Sequence, residues 1–179
     1  MDSLVGLFAL GVFVVVVLAK AGTKYGRMSG GGGYPYRPAK ALFSPAERSF
    51  LGVLDLAVGP EYRVFGKVRL ADVATLKPEL RGGARQGALN RIAGKHLDFV
   101  VCRATDLVPV CAVELNDRTH AAPRVRQRDE LVRNVCETIG LPLLMVDARA
   151  AYSATDLGER FRATLGPAHR DRPLAGAAG

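Results

Sequence analysis

The amino-acid sequence predicts an α/β domain, on three observations. The chain has 179 residues, of which 49% are hydrophobic, and this suffices for one globular domain with a sizeable core. Segments with apolar residues at helical spacing are followed by short apolar or alternating runs that are typical of strands. Two of these strand-like runs are separated only by a polar turn, as in a hairpin. The elements follow in the order α-β-β-β-α-β-α.

The first helix and the first strand have clear boundaries in the sequence. Ser44 is a candidate N-cap, Pro45 stands at the first helical position, and Glu47 follows the cap by three residues. Gly59-Pro60 ends this helix, and residues 61–73 alternate apolar and polar side chains as a half-buried strand does.

The next stretch, residues 75–95, has a weaker pattern. It predicts a Gly-rich basic loop at 80–87 and a short helix at 88–93. The remaining elements are a hairpin of strands at 95–102 and 107–115, a helix at 123–140, a buried strand at 141–148 and an amphipathic closing helix at 153–165.

Charge and cysteine content restrict the partners and the compartment. The chain carries 25 Lys and Arg against 17 Asp and Glu, for a formal charge of +8, which favours nucleic acid or acidic lipid as a partner. Basic residues spread over a solvated surface explain the charge equally well. Three cysteines without a C-x-x-C pair or nearby histidines argue against a zinc ribbon or a disulfide framework, and for a reducing compartment.

The N-terminus predicts a membrane anchor. Leu4–Ala19 is a run of sixteen apolar residues, roughly 24 Å long as a helix against a hydrocarbon core of about 30 Å. A cleaved secretory signal is the alternative, but the run is preceded by Asp2 and no basic residue. Basic residues follow it instead, so the positive-inside bias places the rest of the chain in the cytoplasm. We predict an uncleaved single-pass anchor at 1–22.

The remainder divides into a linker, a domain and a tail. Residues 23–37 contain four consecutive glycines but no Gly-Lys-Ser/Thr, which indicates a flexible basic linker and not a phosphate-binding loop. The folded domain is predicted at 38–166, followed by a disordered tail at 167–179.

The hairpin brings polar residues together. If its turn is centred on Asp106, facing residues have numbers that add up to 212, and Asp98 lies opposite Glu114 with β-carbons about 5 Å apart. Alternation puts Asn116 on the same face. Opposed carboxylates need a cation, a metal ion or a shared proton between them, and oxygen ligands favour Mg²⁺. The alternatives are a shift of register by one residue, or an arginine beside each carboxylate.

Three further residues are candidates for the same site. Glu47 lies on the apolar stripe of the first helix, although Ser44 and Glu47 also form a capping box. Arg128 lies on the apolar stripe of its helix, at a frayed helix start or facing a polar site where it would suit phosphate. His120 follows the second hairpin strand and is either a surface residue or a general base.

Six blocks of sequence, in order, resemble a known family. They are SPAERSFLGVL, YRVFGKVRLADV, ALNRIAGKHLDFVVC, CAVELNDRTH, RQRDELVRNVCETIGLPLL and AYSATDL. The chain resembles the bacterial family called domain of unknown function 2726, which looks like a branch of the PD-(D/E)XK, restriction-endonuclease-like superfamily, similar to very-short-patch-repair endonucleases. The resemblance implies an α-β-β-β-α-β core with a mixed sheet and an anchor in the bacterial inner membrane.

The resemblance also implies a catalytic site. It assigns metal binding to Glu47, Asp98 and Glu114, and adds His120 after the strand. Asn116 stands where the superfamily usually has lysine, and Met145 stands about where an arginine is common. Because an amide neither carries positive charge nor takes a proton, His120 is the expected base.

The resulting hypothesis is a membrane-anchored, Mg²⁺-dependent nuclease-like domain acting on DNA or RNA. Asp98, Glu114, Asn116 and His120 would form the catalytic set. The phosphate-binding residues would be Arg128, Arg81 and Arg85. The alternatives are a non-catalytic module of the same fold that binds nucleic acid or protein, and a structural role at an anionic membrane.

Overall fold

A computed structural model of the protein describes residues 34–116 and 123–170. The predicted anchor, most of the linker, His120 and the end of the tail lie outside these ranges. The chain divides into two compact units, Met1–Lys40 and Ala41–Gly179. Of the first unit, residues 34–40 are described and are exposed. Within the described ranges, no helix has the length and hydropathy needed to cross a membrane.

The second unit contains all the helices and strands described below. The helices are α1 (Pro45–Val58), α2 (Leu70–Val73), α3 (Gly82–Ala93), α4 (Pro123–Thr138) and α5 (Ala154–Arg170). The strands are β1 (Tyr62–Arg69), β2 (His96–Arg103), β3 (Pro109–Asn116) and β4 (Leu143–Asp147). The backbone of α5 is non-helical at Gly166, where φ is 62°.

The strands form one mixed sheet. In the described part of the chain the sheet has four strands in the order β1-β2-β3-β4. β2 pairs antiparallel with both β1 and β3, whereas β4 pairs parallel with β3 after the crossover through α4. The predicted α/β class and the order α-β-β-β-α-β are therefore confirmed, with α2 and α3 inserted between β1 and β2.

Two predicted boundaries were wrong. The first strand ends at Arg69 and not at Val73, because the chain turns into α2 at Leu70, whose side chain is completely buried. The predicted basic loop at 80–87 belongs to α3 from Gly82 onward. Ala, Arg, Gln and Leu in this segment are good helix formers and offset its three glycines, and buried Ile92 attaches the helix to the domain.

The capping box predicted at the start of α1 is present. The backbone N–H of Glu47 donates to Ser44 Oγ at 3.3 Å, and the backbone N–H of Ser44 donates to Glu47 Oε2 at 2.8 Å. Two of the N–H groups that a helix leaves without partners are thus satisfied. From this fixed start, α1 buries Phe50, Leu54 and two further residues against the sheet.

Hydrophobic clusters cover both faces of the sheet. Alternate residues of β3 point to opposite clusters, as a pleated strand requires: Val113 packs with α1 and α5, whereas Ala112 packs on the side of α4. The α1–α5 cluster includes Phe50 of α1 and Phe161 of α5, and the α4 cluster, on the other face, includes Val132 of α4. The sheet is therefore the middle layer between two sets of helices.

β1 changes face at Lys67. Residues four apart on a regular strand share a face, yet Val64 packs with the α1–α5 cluster and Val68 with the α4 cluster. The backbone of Lys67 is left-handed, with φ of 56°. The side chains of β1 before and after Lys67 therefore point to opposite faces of the sheet.

β2 changes face at the position across from Lys67. Leu97 packs with the α4 cluster and Phe99 with the α1–α5 cluster, although they are two residues apart. Asp98 lies between them, and the β1–β2 pairs on either side are Val68 with Leu97 and Gly66 with Phe99. Lys67 and Asp98 therefore face each other where both strands turn over.

The close approach of α5 to α1 gives a test of this packing. A β-carbon on Gly158 would lie 2.8 Å from the backbone oxygen of Ala57, which cannot move aside without disturbing α1. We expect Gly158→Ala to lower the free energy of unfolding by about 1–3 kcal/mol through overpacking. This loss exceeds the gain of up to about 1 kcal/mol from the better helix propensity of alanine.

The matched control is Gly87→Ala in α3, where nothing lies within 4 Å of the added carbon. It should raise the free energy of unfolding by up to about 1 kcal/mol. Urea unfolding followed by circular dichroism measures both variants. Equal stability of the two would contradict the close helix contact.

Candidate functional site

The alignment of the hairpin strands at the candidate site is as predicted. The pairs near this end are Phe99 with Val113, Val100 with Ala112 and Val101 with Cys111, each of which adds up to 212. A register shift between Val101 and Cys102 affects only the turn end of the hairpin. The next position in line therefore places Asp98 across from Glu114.

The two carboxylates take the place of backbone carbonyls at the end of the β2–β3 ladder. The backbone N–H of Asp98 donates to Glu114 Oε1 at 3.1 Å, and the backbone N–H of Leu115 donates to Asp98 Oδ2 at 3.0 Å. Each carboxylate thus accepts a hydrogen bond from the neighbouring strand. The arrangement fixes both side chains in the gap between β2 and β3.

Arg128 of α4 approaches Glu114 from the side of the α4 cluster. Its Nη2 lies 3.3 Å from Glu114 Oε2 and 3.3 Å from the carbonyl oxygen of His96, and its Nη1 lies 3.8 Å from Asp129 Oδ1. An arginine beside a carboxylate was one of the alternatives that the sequence left open, and Glu114 has this partner. Phosphate binding by Arg128 stays a prediction.

Lys67 and Glu47 complete the group from the side of α1. The Lys67 ammonium forms an ion pair with Glu47 Oε1, and the other oxygen of Glu47 accepts the capping hydrogen bond. Sequence reasoning missed Lys67. A signal was present: Gly66 interrupts the strand just before it, and a glycine inside a strand often marks a bulge or a bend.

Burial dominates the electrostatics of the carboxylates. Glu114 is 5% exposed, and burial together with the nearby Asp98 carboxylate raises its pKa to about 7, against the lowering effects of the Asp98 N–H and Arg128. Burial also raises the pKa of Asp98, opposed by the Leu115 N–H, Lys67 and Arg128. Burial acts to raise the pKa of Glu47 as well, but hydrogen bonds from Lys67 and Ser44 outweigh it and lower that pKa.

The remaining predicted site residues are Asn116, Arg81, Arg85 and His120. Asn116 is the last residue of β3, half-buried and paired with Asp147 of β4. Arg81 and Arg85 are exposed at the start of α3, where Arg81 donates to the carbonyls of Pro78 and Leu80. His120 is outside the described residues. Their assigned roles stay predictions.

Asp98 and Glu114 offer part of a shell for a hard cation. Within the described ranges, no group of three or more His, Cys, Asp or Glu side chains is placed to hold a metal ion. Mg²⁺ is commonly held by only one or two carboxylates and keeps several of its waters. A pair of oxygen donors is thus chemically suited to Mg²⁺, provided that Glu114 has lost its proton.

Comparison with known proteins identifies the family. The family model described as "Protein of unknown function (DUF2726)" matches residues 39–164. The chain belongs to this family. No curated protein and no solved structure matches the chain. The DUF2726 match covers every helix and strand from α1 to β4, and so includes all the residues grouped around Asp98 and Glu114.

The raised pKa of Glu114 predicts a specific pH dependence of stability. Its pKa is about 7 in the folded protein and near the ordinary value of 4.5 in the unfolded chain, so the folded state binds the proton more tightly. The contribution of Glu114 to stability is therefore greatest below the lower pKa and is lost as pH rises towards 7. Charging the buried side chain costs on the order of 1–3 kcal/mol.

Glu114→Gln removes this charge and should be more stable than the wild type at pH 8 by a similar amount, about 1–3 kcal/mol. The difference should shrink at pH 5, where wild-type Glu114 is largely protonated. Urea unfolding at the two pH values measures it. A variant less stable than the wild type at pH 8 would show that the ion pair with Arg128 outweighs the cost of burial.

Proposed function

We propose that this member of the DUF2726 family is a nuclease-like protein that hydrolyses phosphodiesters of DNA or RNA with the help of Mg²⁺. The observation that carries the proposal is the convergence of two carboxylates, the half-buried Asp98 and the buried Glu114, across neighbouring strands. Buried titratable groups with perturbed pKa values cluster at functional sites. A purely structural role needs no second carboxylate beside the first.

The proposal includes a PD-(D/E)XK, restriction-endonuclease-like fold. Support comes from the order of α1 and the four strands around α4, and from the mixed sheet. It comes also from the positions of Asp98 and Glu114 on consecutive strands with Glu47 on the preceding helix. These are the three places that the resemblance assigns to metal-binding carboxylates.

In the proposed mechanism, Asp98 and Glu114 would hold the ion. When bound there, Mg²⁺ would supply polarisation of the phosphate and a lowered pKa for the attacking water. Glu114 must be ionised to take part, and a cation bound beside it would favour the ionised form. His120, the proposed base, accepts the proton of the water.

Basic side chains would hold the nucleic acid. Arg128, Arg81 and Arg85 remain the proposed phosphate ligands, and the last two are exposed on α3 where a backbone phosphate reaches them. The proposed anchor at 1–22 would keep the domain at the cytoplasmic face of the bacterial inner membrane.

A non-catalytic module of the same fold is the second candidate. The observation in its favour is that the carboxylates already have protein partners: backbone N–H groups bond to both, and Arg128 bonds to Glu114. Asn116 also lacks the charge of the lysine usual at its position. Such a module would bind nucleic acid in a salt-sensitive way without cleaving it.

Cleavage assays on the full chain in detergent separate the two candidates. With Mg²⁺ or Mn²⁺ at pH 8, the wild type should nick DNA or RNA, and Asp98→Ala should reduce this to the level of a metal-free control. Asp72→Ala is the matched control, since Asp72 is an exposed carboxylate at the start of α2. It should cleave like the wild type.

Cleavage that survives Asp98→Ala would refute the proposed site. Binding that is equal in wild type and Asp98→Ala, weakens with salt and is never accompanied by cleavage would favour the non-catalytic module.

A further inference from the structure

We propose that Lys67 is a further side chain that meets the substrate phosphate at this site, and that Glu47 is the positioning residue that holds it there. The inference rests on the proposed function and adds to it a cation to which the family resemblance assigns no role. It also changes the role of Glu47, which would position the lysine and not bind the metal.

The backbone at Lys67 is the first support. A left-handed conformation is disfavoured for a residue with a side chain, and such conformations persist where the surrounding structure enforces them, often at functional sites. Among the described residues with side chains, positive φ occurs at Lys67 and at Leu107, which lies in the hairpin turn. At Lys67 it occurs inside a strand, opposite Asp98, where both strands turn over.

The surroundings of the lysine side chain are the second support. The ammonium is paired with Glu47 Oε1 and lies 6.0 Å from the centre of the Phe43 ring. Glu47 cannot readily swing away, because the Ser44 N–H holds its other carboxylate oxygen at the cap of α1. Both oxygens of Glu47 are thus engaged within the protein, which suits a positioning residue better than a metal ligand.

The third support is the contrast with Arg128. That guanidinium is shared among the Glu114 carboxylate, the His96 carbonyl and Asp129. The Lys67 ammonium is paired with one carboxylate and is partly open, with a third of its side chain exposed. An ammonium has three donors, so Lys67 can keep Glu47 and still donate to a phosphate oxygen next to Asp98.

Three variants of the full chain in detergent test the inference. Lys67→Met keeps the length of the side chain without the charge and should lose most cleavage activity while still binding Mn²⁺, measured by electron paramagnetic resonance. Lys67→Arg should restore part of the activity. Glu47→Gln should also keep Mn²⁺ binding but cleave more slowly, because the lysine is less firmly held.

Lys77→Met is the control, since Lys77 is an exposed lysine in the segment between α2 and α3. It should match the wild type in cleavage and in Mn²⁺ binding. Circular dichroism and urea unfolding establish that each variant is folded. Should Lys67→Met fail to fold, Lys67→Arg and Glu47→Gln carry the test.

The outcomes distinguish this inference from the proposed function. If Asp98→Ala abolishes cleavage but Lys67→Met cleaves at the wild-type rate, the function stands and the inference is wrong. Loss of Mn²⁺ binding in Glu47→Gln would make Glu47 a metal ligand and would also overturn it. If the wild type does not cleave, oligonucleotide binding in Ca²⁺ decides: binding weakened by Lys67→Met but not by Lys77→Met supports phosphate contact, and equal binding refutes it.

Discussion

The candidate site depends on the reciprocal hydrogen bonds between β2 and β3 at Asp98 and Glu114. An ordinary ladder would use backbone carbonyls here, and the side chains would be free to turn towards solvent. Instead each carboxylate accepts a backbone N–H from across the gap. The cost of burying Glu114 and half-burying Asp98 is offset in part by these bonds and by the cations on either side.

The layered fold explains why the cations come from opposite directions. The α1–α5 layer supplies Glu47, which fixes Lys67 at the place where β1 turns over. The α4 layer supplies Arg128. Asp98 lies where the side chains of β1 and β2 change from one face of the sheet to the other, and so it interacts with charges on both sides. In a flat, regular sheet, Asp98 would face only one of the two cations, Lys67 or Arg128.

Sequence reasoning predicted the parts that follow from periodicity. Alternation and a centred turn placed Asp98 across from Glu114, and the capping residues located the start of α1. Periodicity predicted only the second half of α3, at 88–93, because the apolar residues of the whole helix do not form a stripe, and it missed the end of β1 at Arg69. It also missed Lys67, because strict alternation assumes that a strand keeps its face, and a single left-handed residue breaks that assumption. The partners of Arg128 needed the packing of α4 on the sheet, which no local pattern contains.

The capping box of α1 has a consequence beyond the stability of that helix. Ends of helices open and close more readily than their middles, and Glu47 belongs to the first turn. Each opening of this turn releases the carboxylate that holds Lys67, whereas each closing restores it. The stability of this first turn therefore contributes to holding the Lys67 charge in place. Ser44 takes part through its two capping hydrogen bonds with Glu47.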